Sequence, residues 1–273
     1  RDPEMSRGLG DVYKRQEYAS LLLPAAVVYR RVMEVTGAGQ FWIPDIGLCD
    51  GIAAEYADDC RLFRFSHSFE NDILAAARNM AKRYKCHAGH NQMLEQYALS
   101  IFDAARKFHG MGARERLLLQ IAVTLHGCGK FISIRNSNES SYNLIMSTEI
   151  IGLSHLEREI IANVVRYNIR DFDYDTIQLE TQIGEDGSGN LNRSSITILI
   201  AKLTAILRLA NSMDKTHKSK LADCRMAIRE GELVITTGYT GDLALERASF
   251  EQKADFFEEI FGIRPVLKQK RRA

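Results

Sequence analysis

The sequence predicts a mainly helical chain that ends in a small α+β unit. Three observations carry that expectation. Apolar residues recur at three- and four-residue steps through most of the stretch between Phe69 and Asp214, the spacing of buried helix faces. Two-residue alternation is sustained only later, in CRMAIREGELVITTGY. A chain of 273 residues with 45% hydrophobic and 26% charged residues has the length and composition of a soluble globular protein with proper cores.

Taken in order, residues 1–16 (RDPEMSRGLGDVYKRQ) show no periodicity and read as a non-native or disordered tail. Tyr18 to Thr36 reads as a helix, begun or interrupted near Pro24 and stopped by Gly37 and Gly39. QFWIP alternates briefly like a strand, and DIGLCDGIAAEY starts another short helix. Phe69 to Tyr84 is helical, with Ile73, Leu74, Ala77, Met80 and Ala81 inward. A second helix opens at His90 and turns Met93, Leu94, Tyr97, Ala98, Ile101 and Phe102 inward. In RERLLLQIAVTLHGCGKFI a buried helix ends at His126, where Gly127 and Gly129 stop it.

Asn143 to Ile150 and Leu156 to Tyr167 are further amphipathic segments. Ser154 and Glu157 form the S-x-x-E pattern of a helix start, with His155 as a solvated residue in the first turn. Phe172 to Arg193 loses periodicity, and its IGEDGSGNLNR reads as a mobile polar loop. ITILIAKLTAILRLANSMD is the longest hydrophobic helix. A hairpin turns at Arg229-Glu230-Gly231-Glu232, LALERASF reads as a third strand, SFEQKADFFEEIF as a final helix and IRPVLK as a short closing strand. The basic end KQKRR reads as a solvated tail.

Composition excludes several classes of function. The formal net charge of +1 argues against a generally basic, specific nucleic-acid binder. No apolar run is expected to reach the ~20 residues that span a bilayer. YASLLLPAAVVY carries Pro24, precedes Arg30 and Arg31, and reads as a buried helix. The five cysteines, Cys49, Cys60, Cys86, Cys128 and Cys224, form no CxxC pair, so reduced thiols in a cytoplasmic protein are expected.

Several stretches together carry a family resemblance: LLLPAAVVYRRVMEVTGAGQFWIPDIGLCDGIAAEY, SIFDAARKFHGMGARERLLLQIAV, MSTEIIGLSHLEREIIANVVRYN and AKLTAILRLANSMDKTHKSKL. From about residue 17 onward the chain resembles the C-terminal half of the exopolyphosphatase and guanosine pentaphosphate phosphohydrolase (Ppx/GppA) family. LHGCGKFIS sits where the HD superfamily has its paired His-Asp. The resemblance implies a remnant of an actin-like (ribonuclease H-like) domain over 17–60, an HD-like helical domain over 61–215 and the α+β domain over 216–273.

It also implies site residues. His90 and His126 match two HD metal-ligand positions, but Gly127 stands where the family pattern has aspartate, and glycine ligates nothing. Asn211 stands at the third acidic position, while Asp214 remains. In SIRNSNESSYNLI, where further histidines are expected, only Glu139 could coordinate a metal. No metal or catalytic residue is therefore assigned to this chain, and Mg²⁺ is implied for the actin-like domain of the whole enzyme.

The implied function is that of a C-terminal portion of an exopolyphosphatase-like phosphohydrolase, binding polyphosphate or guanosine pentaphosphate and forming a homodimer. Lys130, Arg135, Arg78 and Lys82 are the phosphate-binding candidates, because spaced cations neutralise a phosphate chain. The alternative is a non-catalytic nucleotide- or alarmone-sensing or interaction module. A third reading, an active HD phosphohydrolase using a divalent cation, lacks the expected carboxylates.

Overall fold

The computed structural model describes residues 3–41, 47–62, 67–177, 179–180 and 192–270, with backbone alone for 3–19 and Asp59. These residues fall into two compact units, 1–66 and 67–273.

The first unit holds α1 (Pro3–Thr36) and α2 (Leu48–Asp59). Helical backbone starts at Pro3, well before Tyr18, so the stretch expected as a tail is helical here. Pro is tolerated in a first helical turn, where its missing N–H has no partner to lose. The helix also continues through Pro24, which forgoes one backbone bond without ending it. Leu21, Leu22, Leu23, Val27 and Val28 are exposed, which corrects the reading of YASLLLPAAVVY as buried. The strand expected in QFWIP lies partly outside the described residues, and Gln40 and Phe41 carry no regular structure.

The second unit contains α3 (Phe69–Arg83), α4 (Ala88–Ala104), the single turn α5 (Arg106–His109) and α6 (Ala113–Leu125). A 3-10 turn (Cys128–Phe131), α7 (Ser137–Met146), α8 (His155–Arg166) and α9 (Arg193–Met213) follow. α6 is the central helix: Leu117, Leu118, Leu119, Ile121, Ala122, Val123, Thr124 and Leu125 are all buried. A helix apolar nearly all round has no solvent face to offer, and it packs against α3, α4, α8 and α9.

α8 starts where S-x-x-E places it. The Ser154 hydroxyl accepts from the Glu157 N–H at 3.2 Å, and the Glu157 carboxylate accepts from the Ser154 N–H at 2.8 Å. Among the described residues α9 is the one helix long and apolar enough to cross a membrane, contrary to the expectation that no run reaches that length. Most of it is buried among α4, α8 and the final helix, as a core helix is. The loop IGEDGSGNLNR lies almost wholly outside the described residues.

The chain closes with β1 (Arg225–Arg229), β2 (Glu232–Thr237), α10 (Ala244–Phe261) and β3 (Arg264–Gln269). β1 and β2 form the expected antiparallel hairpin, turning at Glu230 (φ 52°) and Gly231 (φ 80°), both left-handed as a tight two-residue turn requires. β3 pairs parallel to β2, so α10 serves as the crossover and the strand order is β1-β2-β3. LALERASF is therefore not a strand. The Asp242 side chain accepts from the Ala244 N–H at 2.8 Å, just before the N-terminus of α10. Glu246 is buried and accepts from the Thr216 hydroxyl and, at 3.0 Å, from Lys220 Nζ. That bond pair straps the 214–220 loop to α10.

Candidate functional site

The residues expected from sequence at a former metal site do meet, although they lie far apart along the chain. His90 is in the first turn of α4, His126 caps the C-terminal end of α6, and Asp214 caps that of α9. The His90 Nδ1–H donates to Asp214 Oδ2 at 2.7 Å, with both side chains buried. His126 Nδ1 donates to the Val123 carbonyl at 2.6 Å. Each bond fixes the proton on Nδ1, so both rings turn Nε2 lone pairs outward. The ring centroids stand 5.5 Å apart.

Asp214 holds more than His90. Its Oδ1 accepts from the Ser219 N–H at 2.8 Å, and its carbonyl accepts from the His217 N–H at 3.0 Å. His217 (φ 53°) and Ser219 (φ 51°) both adopt the left-handed backbone that costs non-glycine residues about 1–2 kcal/mol each. The carboxylate and the Glu246 strap keep them there. The held loop stacks the His217 ring on His90, centroids 3.8 Å apart and planes 20° apart.

These groups line a cavity of about 300 Å³ together with Lys85, His87, Asn91, Gly127, Lys130 and Phe131. His87 caps α4, its Nδ1 accepting from the His90 N–H at 3.0 Å. Lys85, also left-handed at φ 52°, lies 5.9 Å from the Phe131 ring centroid. Among the described residues no carboxylate lines this cavity, because Asp214 lies behind His90.

Burial pushes His126 down from the usual 6.5 to about 4, with His90, Lys130 and His217 adding in the same direction. His217 is likewise lowered, chiefly by burial and then by His90. These rings are neutral acceptors near neutral pH, and the cavity's fixed charges are Lys85 and Lys130. The sign of the pH effect follows from a base whose folded pKa is depressed. Its stabilising contribution is present above 6.5 and is lost as pH falls towards 4, because the unfolded chain takes up the proton first. His126 alone accounts for about 3 kcal/mol over that window at 1.36 kcal/mol per unit. Urea unfolding between pH 7 and 4 should show the midpoint dropping with pH, and His126→Gln should flatten that fall.

The other expected residues divide. Lys130 is at the cavity, and its charge bears on His126, His217 and Cys86. Arg78 and Lys82 line a neighbouring cavity of about 840 Å³ that shares Cys86 and Asn91 with the first, and Arg78 pairs with Glu95 at 3.3 Å. Arg135 is exposed and lines neither cavity. Asn211 is half-buried off the cavity wall, so the acid that meets the histidines is Asp214, three residues further on. Glu139 is held by Arg166 at 2.9 Å and Arg170 at 3.0 Å, away from the histidines.

Sequence reasoning missed His87 and His217. The clustering in KCHAGH and the D-K-T-H spacing were the available signals.

A divalent cation does not fit this cavity as it stands. Two imidazoles have the ligand tautomer, but among the described residues no third ligand atom converges with theirs, and Gly127 supplies none. The arrangement instead suits an anion: two ammonium groups flank neutral rings at the mouth of a cavity that no carboxylate lines among the described residues.

Residues 74–254 match the model of the Ppx/GppA phosphatase family, domain III. No curated protein matches the chain.

Proposed function

We propose a phosphate-chain-binding role from one premise: the chain belongs to the Ppx/GppA phosphatase family. In this reading the chain is the C-terminal portion of an exopolyphosphatase-type phosphohydrolase. Its second unit binds inorganic polyphosphate without cutting it. The observation that carries the reading is the cavity where Lys85 and Lys130 stand beside neutral His126 and His217, with no carboxylate lining it among the described residues. Lys82 in the adjoining cavity adds a further cation, as a linear polyanion requires, while Arg78 there is paired with Glu95. The HD-like character of the helical domain rests on the meeting of His90, His126 and Asp214, and Mg²⁺ is assigned to the actin-like domain, of which residues 17–60 are read as a remnant. Homodimerisation and a cytoplasmic setting belong to the same proposal. The cysteines, all free, support the latter.

Polyphosphate titrated into the chain should bind with an affinity that falls steeply with salt. Lys85→Ala/Lys130→Ala should weaken binding at least tenfold and flatten the salt dependence. Unchanged affinity in that double variant would sink the proposal.

One observation favours a second reading, a sensor of guanosine tetraphosphate or a related nucleotide. Phe131 is exposed at the cavity rim, 5.9 Å from Tyr84 between centroids, where a base could stack. Binding of the nucleotide alone, lost in Phe131→Ala, would select it over polyphosphate.

A further inference from the structure

Away from the cavity, three ligand-type side chains converge on one point. His155 is the first residue of α8 and Glu159 lies one turn further on, so both side chains share a helix face. Glu180 reaches the same point from the segment after Ile177. His155 Nε2 stands 3.7 Å from Glu159 Oε1 and 4.0 Å from Glu180 Oε2. One ligand atom from each residue lies within 4.8 Å of the others. Both distances exceed hydrogen-bond reach. They approach the ~3.4 Å between neighbouring ligands around a tetrahedral ion held at ~2.1 Å. The three ligand atoms stand at a spacing that an ion could bridge, and His155 hydrogen-bonds neither carboxylate across it.

The cluster is anchored on one side and open on the other. The Glu159 side chain is 0% exposed, and its Oε1 accepts from the Glu180 backbone N–H at 2.5 Å. His155 and Glu180 are exposed, which leaves an ion a way in. We propose that His155, Glu159 and Glu180 form a site for a divalent transition metal of the zinc type, with water completing the coordination. Imidazole beside two carboxylates favours such an ion over Mg²⁺, which prefers oxygen ligands and its own waters. Arg158 Nη2 donates to His155 Nδ1 at 3.2 Å, which places the neutral ring's proton on Nε2. Binding the ion moves that proton to Nδ1 and turns Arg158 aside. The bound ion would tie α8 to the segment that leads into α9.

The test is a zinc titration of the metal-stripped chain by calorimetry, with thermal unfolding in parallel. One equivalent should bind and raise the Tm. His155→Ala and Glu180→Gln, both at exposed side chains, should each lower the affinity at least tenfold and abolish the rise. Substituting cobalt(II) should give the visible bands of a low-coordinate site in the unaltered chain only. Absence of uptake overturns the proposal. So does uptake undiminished by both variants, which would assign the zinc to the cavity histidines or the thiols. Polyphosphate binding is measured on the metal-free chain, so the two proposals fail independently.

Discussion

Gly129→Ala should abolish the folded second unit. A Cβ at Gly129 would lie 2.0 Å from the Ser137 carbonyl oxygen, 2.4 Å from the Ser141 nitrogen and 2.6 Å from Ser141 Oγ. Two of these are backbone atoms at the start of α7, which cannot rotate away as a side chain can. The Gly129 N–H also donates to Ser141 Oγ at 2.8 Å, so separating the segments loses a buried hydrogen bond as well. The cost exceeds about 3 kcal/mol, a large share of a domain's stability. Circular dichroism on urea titration would check it, and a midpoint within error of the unaltered chain would refute it. Gly127 is the control, because a Cβ there meets only Cys86 Sγ at 3.9 Å. Gly127→Ala should be neutral or slightly stabilising. Gly127→Asp, which restores the carboxylate of the HD pattern, should fold as well. Of two glycines in one HGCG motif, packing demands only the second.

Asp214→Ala should dismantle the cavity while leaving most helices in place. The substitution strands the His90 Nδ1–H and the Ser219 N–H, both of which point at the carboxylate. Burying two donors without partners costs about 2–6 kcal/mol. The left-handed loop through His217 and Ser219 then loses one of its two restraints, and the His217 ring should leave His90. Polyphosphate affinity should fall with stability, and backbone exchange at Ser219 should quicken ahead of exchange in α6. Unaltered protection at Ser219 would show that the Glu246 strap alone holds the loop. Asp214→Asn tests the charge and the shape separately, since it keeps an acceptor for only one of the two donors.

These residues show what could be read from the sequence. Helices α3, α4, α6, α8 and α9 were legible because each buries a face at helical spacing that an 11- to 18-residue window detects. The start of α8 was legible because a capping box is a local bond pair. LALERASF was misread because two leucines at alternate positions fit a strand, while the inward turn of Glu246 depends on Thr216 and Lys220, about thirty residues earlier in the chain. At the site, the family pattern pointed to His90 and His126 but put the acidic position at Asn211, whereas the carboxylate that meets His90 is that of Asp214. His217 was not legible, because its position comes from a left-handed loop fixed by a carboxylate and by a helix from the C-terminal unit. The place of Lys85 at the cavity was hidden for a similar reason: its backbone turns at the end of α3 in a conformation that lysine seldom adopts.

The bond between His90 and Asp214 joins residues 124 positions apart. Closing a loop of that length costs about 4 kcal/mol of chain entropy, and the bond alone does not return so much. The cavity therefore cannot nucleate folding. It is completed only after α4, α6 and α9 have packed and brought the ends of the loop together. Partly folded chains would hold the lysines without the ordered rings between them. Ligand binding then reports the finished fold in an all-or-none way, and a refolding experiment should see binding return in the slowest phase, after helical signal has recovered.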